Sequence, residues 1–174
     1  DKQLEASTAE KNAADSNQTT ISLENVKSSL NLAKSEKDVL QGGLQAVCKQ
    51  LEAGQGAIYV TTEQGGQRKV EFRSGYALSI AESTVISFEF GEGLVGQSAA
   101  GAKTLYIDDV PEGYIKIISG LGSASPRYLL ITPIKHQQQV LGVMEIASFT
   151  PLLEDQRKFV EEAADLIAQK ISQK

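Results

Sequence analysis

Between residues 23 and 51, apolar side chains recur at alternating steps of three and four. They are Leu23, Val26, Leu30 and Ala33, then Leu40, Leu44, Val47 and Leu51, with Lys37 in the one polar position. This is an a/d heptad seam, the spacing that packs one helix against another as a coiled coil. It predicts a signalling helix over residues 22–53. The second half, Leu44 to Leu51, is expected to lie on the chain's own domain. The first half has no domain to cover, so Leu23, Val26, Leu30, Ala33 and Leu40 are expected to face a partner helix. Gly42-Gly43 is where such a helix would kink or loosen. Residues 1–21, with Leu4 the one large apolar anchor in the first 20, read as a linker or a solvated helix extension.

After Ala53-Gly54 the period changes. Ala57 to Thr61 reads as a buried strand and Gln64-Gly65-Gly66-Gln67 as a turn. Lys69 to Ala77 then turns Val70 and Phe72 inward and Lys69, Glu71 and Arg73 outward, completing an antiparallel hairpin. Val85 to Phe90 predicts a further strand, about Gly93 to Ala100 a small helix, and Thr104 to Ile107 another strand. Residues 108–126 have no clean period. Pro111, Gly113, Gly120, Gly122 and Pro126 break them, while Tyr114, Ile115, Ile117, Ile118 and Leu121 supply apolar mass, the mark of a lid or binding loop.

Tyr128 to Lys135 and Val140 to Ser148 form the clearest hairpin. A turn at Gln137-Gln138 sets Ile134 against Leu141, Thr132 against Val143 and Leu130 against Glu145. One face then carries Leu129, Ile131, Met144 and Ile146. The other carries Tyr128, Leu130, Thr132, Ile134, Leu141, Val143 and Glu145. Both are apolar enough to be buried, so the hairpin belongs in mid-sheet with a layer on either side. The last helix is predicted to open with Thr150 as N-cap and Pro151 at the first helical position. Its apolar stripe is Leu152, Leu153, Phe159, Val160, Ala163, Leu166, Ile167 and Ile171. The whole order predicts an α/β (α+β) domain built on a central antiparallel sheet.

Composition narrows the function classes. With 174 residues, 41 % hydrophobic and 22 % charged, the chain suits one soluble domain plus an appendage. A net charge of −5 argues against a general nucleic-acid binder. No apolar run approaches the roughly 18 residues that span a bilayer, so no membrane contact is expected. A single cysteine, Cys48, excludes an internal disulfide framework and fits a cytoplasmic setting. The chain opens on Asp1, has Met144 as its only methionine and shows no signal peptide. It is therefore expected to be a piece of a longer protein.

FEFGEGLVGQSAA, residues 88–100, contains Gly91-x-Gly93-x-x-Gly96, the spacing of a dinucleotide-binding turn. Its context does not suit that reading. The preceding strand alternates, the following helix is about two turns long, and an antiparallel hairpin comes next instead of another βαβ unit. The glycines are expected to serve geometry: Gly91 and Gly93 in a tight strand-to-helix turn, Gly96 in close packing. The helix start at Gly93 is an anion site only where it faces a cavity.

Among the chemical groups, Cys48 beside the apolar seam reads as a small hydrophobe. Asp108 and Asp109 read as a strand end opening a turn. His136 falls in a hairpin turn. Glu145 on a buried strand needs a partner, for which Arg127 and Tyr128 are candidates, in a structural ion pair or a ligand contact. One histidine and one cysteine cannot assemble a Ser-His-Asp, Cys-His or metal constellation. No catalytic residue and no metal ligand is assigned.

The strings FGEGLVGQSA, TLYIDDVPEGYIKIISGLGSASPR and YLLITPIKHQQQVLGVMEIASF, with the closing helix, resemble a GAF domain. The likeness covers about residues 40–174 and is narrowest with GAF domains inside bacterial multi-domain sensor histidine kinases. It implies a GAF domain over residues 54–174, with the long terminal helices on one sheet face. A small-molecule pocket under short helices and loops is implied on the other. It also implies a homodimer through the terminal helices. The pocket residues implied on this chain are Phe90, Gly93, Leu94, Asp108, Tyr114, Ile117, Ser125, Arg127, Tyr128, Thr132 and Glu145. The chain lacks the Asn-Lys…Phe…Asp-Glu pattern of cyclic-nucleotide-binding members, a pocket histidine for haem, and a cysteine placed for a bilin. It also lacks the several cysteines of the free-methionine sulfoxide reductases of this fold. The expected function is a non-catalytic sensor and dimerisation module with its ligand unnamed. The alternatives are a ligand-free structural spacer and, behind it, an enzyme of GAF fold.

Overall fold

The computed structural model describes residues 21–78, 86–110 and 126–172. Within them, α1 (Leu23–Leu32) and α2 (Glu36–Leu51) lead into strands β1 (Gln55–Gln64) and β2 (Gln67–Tyr76). Strand β3 (Ser87–Glu89), helix α3 (Gly93–Gly101) and strand β4 (Leu105–Ile107) follow. The chain closes with β5 (Tyr128–His136), β6 (Gln139–Ser148) and α4 (Glu154–Ile171). The strands make one six-stranded sheet in the order β3-β2-β1-β6-β5-β4, every neighbouring pair antiparallel. This is the expected α+β architecture.

The sheet separates two apolar layers. On one side α1, α2 and α4 cover Ile58, Leu130, Ile134, Met144 and Ile146. On the other, α3 contributes Val95 and Ala99 to a cluster with Ala57, Tyr59, Val70, Leu129, Ile131 and Val143. Strands β1 and β6 lie at the centre and have buried side chains on both faces.

The segment read as one helix over residues 22–53 is two helices. α1 ends at Leu32, and Ala33 turns the chain with an extended backbone (φ −70°, ψ 136°). Ser35 starts α2, its Oγ accepting from the Asp38 backbone N–H at 3.1 Å, while Asp38 Oδ2 accepts from the Lys34 N–H at 3.2 Å. These local caps satisfy donors that a continuous helix would have bonded internally. α1 then runs back along α2, and Gln50 Oε1 accepts from the Ser22 N–H at 2.5 Å and from Asn25 Nδ2 at 3.2 Å. Val26, Leu30 and Leu40, expected to face a partner helix, are buried inside the chain; Leu23 and Ala33 are partly buried beside them. Burying Val26 and Leu30 stabilises the hairpin by about 1.5–3 kcal/mol each. α2 continues through Gly42-Gly43 without a break. A Cβ at Gly42 would stand 2.7 Å from Ser29 Oγ, and one at Gly43 would stand 2.9 Å from Ile167 Cδ1 and 3.4 Å from Leu30 Cδ2. The pair is the saddle in which α1 and α4 approach α2.

The β5–β6 turn is at Gln137-Gln138, both at positive φ, as the pattern predicted. The register beyond it differs. Lys135 pairs with Val140 but Ile134 pairs with Gly142, so Leu141 is an extra residue in β6. From there Thr132 faces Met144 and Leu130 faces Ile146. A one-residue slip turns a strand over. Leu129 and Ile131 therefore lie on the α3 side, and Leu130, Thr132 and Ile134 under the helices, the reverse of the expectation for β5. Helix α4 also begins later than expected. Ser148 Oγ ties down Thr150, Pro151 and Leu152 precede the helix, and Gln156 Oε1 accepts from the Leu153 N–H at 2.8 Å to start it.

Thr132 Oγ1 is buried on the helix side with no hydrogen-bond partner among the described residues. An orphan buried hydroxyl costs about 1–3 kcal/mol. Thr132→Val is therefore expected to raise stability by about 1 kcal/mol in urea unfolding. A loss of similar size would show that the hydroxyl is bonded and the assigned face wrong.

Candidate functional site

On the face opposite the long helices, Glu145 of β6 sits between Ala57 of β1 and Ile131 of β5. Its Oε1 accepts from Tyr59 Oη at 3.2 Å. The Tyr59 ring meets Phe72 edge-on at 6.0 Å and Phe88 at 5.7 Å. An aromatic cluster thus lies along β1, β2 and β3 with one carboxyl group at its end. Glu145 is half-buried as a residue, and protein closely surrounds its carboxyl group. Burial pushes the Glu145 carboxyl up to about 7, against a smaller lowering by the Tyr59 hydrogen bond. Near neutrality it both accepts and donates, which suits it to greet an ammonium or a hydroxyl.

The glycine stretch forms the rim of this face. Gly91 (φ 95°) and Gly93 (φ 63°) take left-handed conformations that glycine tolerates. The Gly91 N–H donates to Gly96 O at 2.7 Å, and the Glu89 N–H to Glu92 Oε1 at 2.8 Å. A Cβ on Gly96 would stand 2.3 Å from the Glu89 carbonyl oxygen. The three glycines are thus explained by backbone geometry and close packing.

The other expected site residues divide. Leu94 and Phe90 pack on the site-side cluster, with the Arg68 guanidinium 4.3 Å over the Phe90 ring. Gly93 is exposed at the start of α3, 3.7 Å from Phe88 by its Cβ direction. Asp108 and Arg127 are exposed, and Arg127 engages through its backbone, accepting from Val110 N–H and donating to Ser148 O. The partner of Glu145 is Tyr59, not Arg127 or Tyr128. Tyr128 and Thr132 leave the site because β5 is turned over. Tyr128 stacks on Tyr106 at 6.5 Å, and Arg157 of α4 lies 4.6 Å over the Tyr106 ring. Thr132 lines a cleft with Lys103, Lys135, Glu161 and Asp165. Tyr114, Ile117 and Ser125, like the lid expected over residues 108–126 for the most part, lie outside the described residues. Tyr59 was missed because its strand read as buried on both faces. Its phenol was the available signal, since a buried hydroxyl needs a partner.

Cys48 lies on the helix side, fully buried, its thiol pushed up to about 12 by burial. Among the described residues no cluster of three or more His, Cys, Asp or Glu side chains could hold a metal ion. None of the described helices is long and apolar enough to cross a membrane.

The family model described as GAF domain matches residues 33–172. Among solved structures the chain is similar to the GAF domain from a phosphoenolpyruvate-protein phosphotransferase of Coxiella burnetii. Identity is 20 %, coverage is 90 % of this chain and 93 % of that one, and the TM-score is 0.73. It is also similar to the A. aeolicus nlh2 GAF domain in an inactive state (20 % identity, 91 % and 97 % coverage, TM-score 0.70). A third similar structure is free methionine-R-sulfoxide reductase of Neisseria meningitidis in complex with its substrate (15 % identity, 84 % coverage of each chain, TM-score 0.65). No curated protein matches the chain.

Two outcomes follow from this geometry. Below pH 4.5 Glu145 is neutral in both folded and unfolded chains; above about 7 it is charged in both, at a cost to the fold. Its contribution to stability therefore falls as pH rises from 4.5 through 7, by up to about 3 kcal/mol. Urea midpoints of Glu145→Gln are expected to lack that decline, and an unchanged slope would locate it elsewhere. Gly96→Ala is expected to cost on the order of 1–3 kcal/mol in the same assay, because a backbone oxygen occupies the space.

Proposed function

The chain belongs to the GAF domain family, and we propose that it is the ligand-sensing regulatory module of a larger bacterial signal-transduction protein. The observation that carries the reading is Glu145. Glu145 is half-buried as a residue, while its carboxyl group is closely surrounded by protein and held up near neutrality in an aromatic setting, with Tyr59 as its one side-chain hydrogen-bond partner among the described residues. Such a group is costly to the fold, and a bound ligand that satisfies it repays that cost. Its position also offers a route for a signal. Met144 and Ile146, its neighbours in sequence, point to the other face and are fully buried under the long helices. A ligand that shifts Glu145 shifts β6, whose Met144 and Ile146 share the helix-side cluster with α2 and α4, and a packed layer responds by repacking.

The output is proposed to be a histidine kinase elsewhere in the full protein, on the resemblance carried by residues 40–174. A GAF domain from a phosphoenolpyruvate-protein phosphotransferase is among the similar structures, which supports a module within a longer chain. The terminal helices are proposed to join two copies. The likeness to a reductase favours a second reading, an enzyme. Against it, the one thiol lies on the helix side and is poorly ionised.

Native mass spectrometry of the purified chain, with thermal shifts across a metabolite panel, tests the proposal. The expected result is a copurified small molecule or a stabilising ligand whose effect falls at least tenfold in Glu145→Ala. A bare mass with no shift anywhere favours the structural spacer. Substrate turnover that survives Cys48→Ala and fails in Glu145→Ala favours an enzyme.

A further inference from the structure

The family match begins at residue 33, so α1 lies outside it, and α1 is joined to α2 by a turn without glycine or proline. Ala33 and Ser35 are extended, in conformations any residue adopts, and Lys34, Ser35 and Glu36 are exposed. A cleft of about 250 Å³ separates this turn from the end of α4. The heptad seam nevertheless runs through the turn without losing phase, from Leu23, Val26, Leu30 and Ala33 to Lys37, Leu40, Leu44, Val47 and Leu51. Two helices folded into an antiparallel hairpin have independent phases, so nothing in the hairpin demands this agreement. A single helix over residues 23–51 does.

We propose that α1 is an exchangeable arm: the turn at residues 33–35 straightens, and two copies of this chain swap their α1 helices. Each long helix then lies antiparallel to that of the second copy, with α1 of one on α2 of the other. Leu30 keeps the saddle at Gly42-Gly43, now the partner's, and Val26 keeps its place in the helix-side cluster, so the apolar contacts of the closed form are conserved. What changes is the turn. Its caps are given up and its backbone groups enter helical hydrogen bonds, which makes exchange a low-cost route to a dimer. Lys37, the polar position of the seam, falls close to the two-fold axis, where one polar a residue fixes register. The inference rests on the proposed joining of two copies through the terminal helices and is independent of what the opposite face binds.

Two substitutions at the turn separate the states, read by sedimentation velocity of the full chain over a range of concentrations. Proline at position 36 suits the backbone of the closed form, as the first residue of α2 after an extended Ser35, and breaks a continuous helix; Glu36→Ala, which removes the same side chain and keeps the helix, is the control. Glu36→Pro is expected to lower the dimer association constant at least tenfold while circular dichroism and melting show a folded monomer. Ser35→Ala removes a cap that only the closed form uses and is expected to raise the constant about tenfold. Spin labels on Ser28→Cys and Gln45→Cys, exposed and neighbouring across the hairpin, identify the exchange. In dimers of labelled with excess unlabelled chain, the short distance is expected to give way to one of roughly 25 Å along the straight helix. A short distance that survives in those dimers overturns the proposal. So do unchanged association in Glu36→Pro and monomers at every concentration in all variants.

Discussion

The extra residue in β6 is the constraint on which both faces of the sheet depend. Leu141 has no partner in β5, so every pair beyond Ile134 and Gly142 is displaced by one. That displacement sends Leu129 and Ile131 to the α3 side and Leu130, Thr132 and Ile134 beneath the long helices. Gly142 makes the bulge possible, because the Tyr59 carbonyl oxygen lies 2.3 Å from where its Cβ would be. Any side chain there would push β1 from β6, and these are the two central strands. The cost of the arrangement is visible at Thr132, whose hydroxyl is buried on the helix side with no hydrogen-bond partner among the described residues.

Strand β6 joins the two layers mechanically. Val143 and Glu145 look toward the aromatic cluster, and Met144 and Ile146 toward α2 and α4. The two sides differ in polarity as well as contact. The helix side is closely packed, with Gly42 and Gly43 set tightly against Ser29, Leu30 and Ile167, and burial keeps its thiol protonated. The opposite side retains a carboxyl group that burial holds near neutrality.

Much of this was legible in residue order. Alternation marked both hairpins, and the turn residues Gln64 to Gln67 and Gln137-Gln138 set their loops. The context of Gly91-x-Gly93-x-x-Gly96 pointed to a structural turn, and the Glu89 carbonyl oxygen, which fills the space a Cβ on Gly96 would take, gives the reason. Glu145 stood out as a carboxylate on a buried strand. The break at Ala33 to Ser35 was not legible, since those residues favour helix or cap with little difference and the seam continues across them. The late start of α4 was hidden by Thr150-Pro151, a strong local signal overridden when Ser148 captured Thr150.

The sequence by itself therefore determined the kind of protein: strands, helices, two buried layers and the residue most out of place in them. Those depend on local period and on the cost of burying polar groups, both written residue by residue. Tertiary structure alone decided the facing of β5, the partner of Glu145 and the folding back of α1. Each of these turns on a difference of one residue in register or one turn of backbone. Such differences are small locally and become decisive only when packing across the sheet and between helices selects among them.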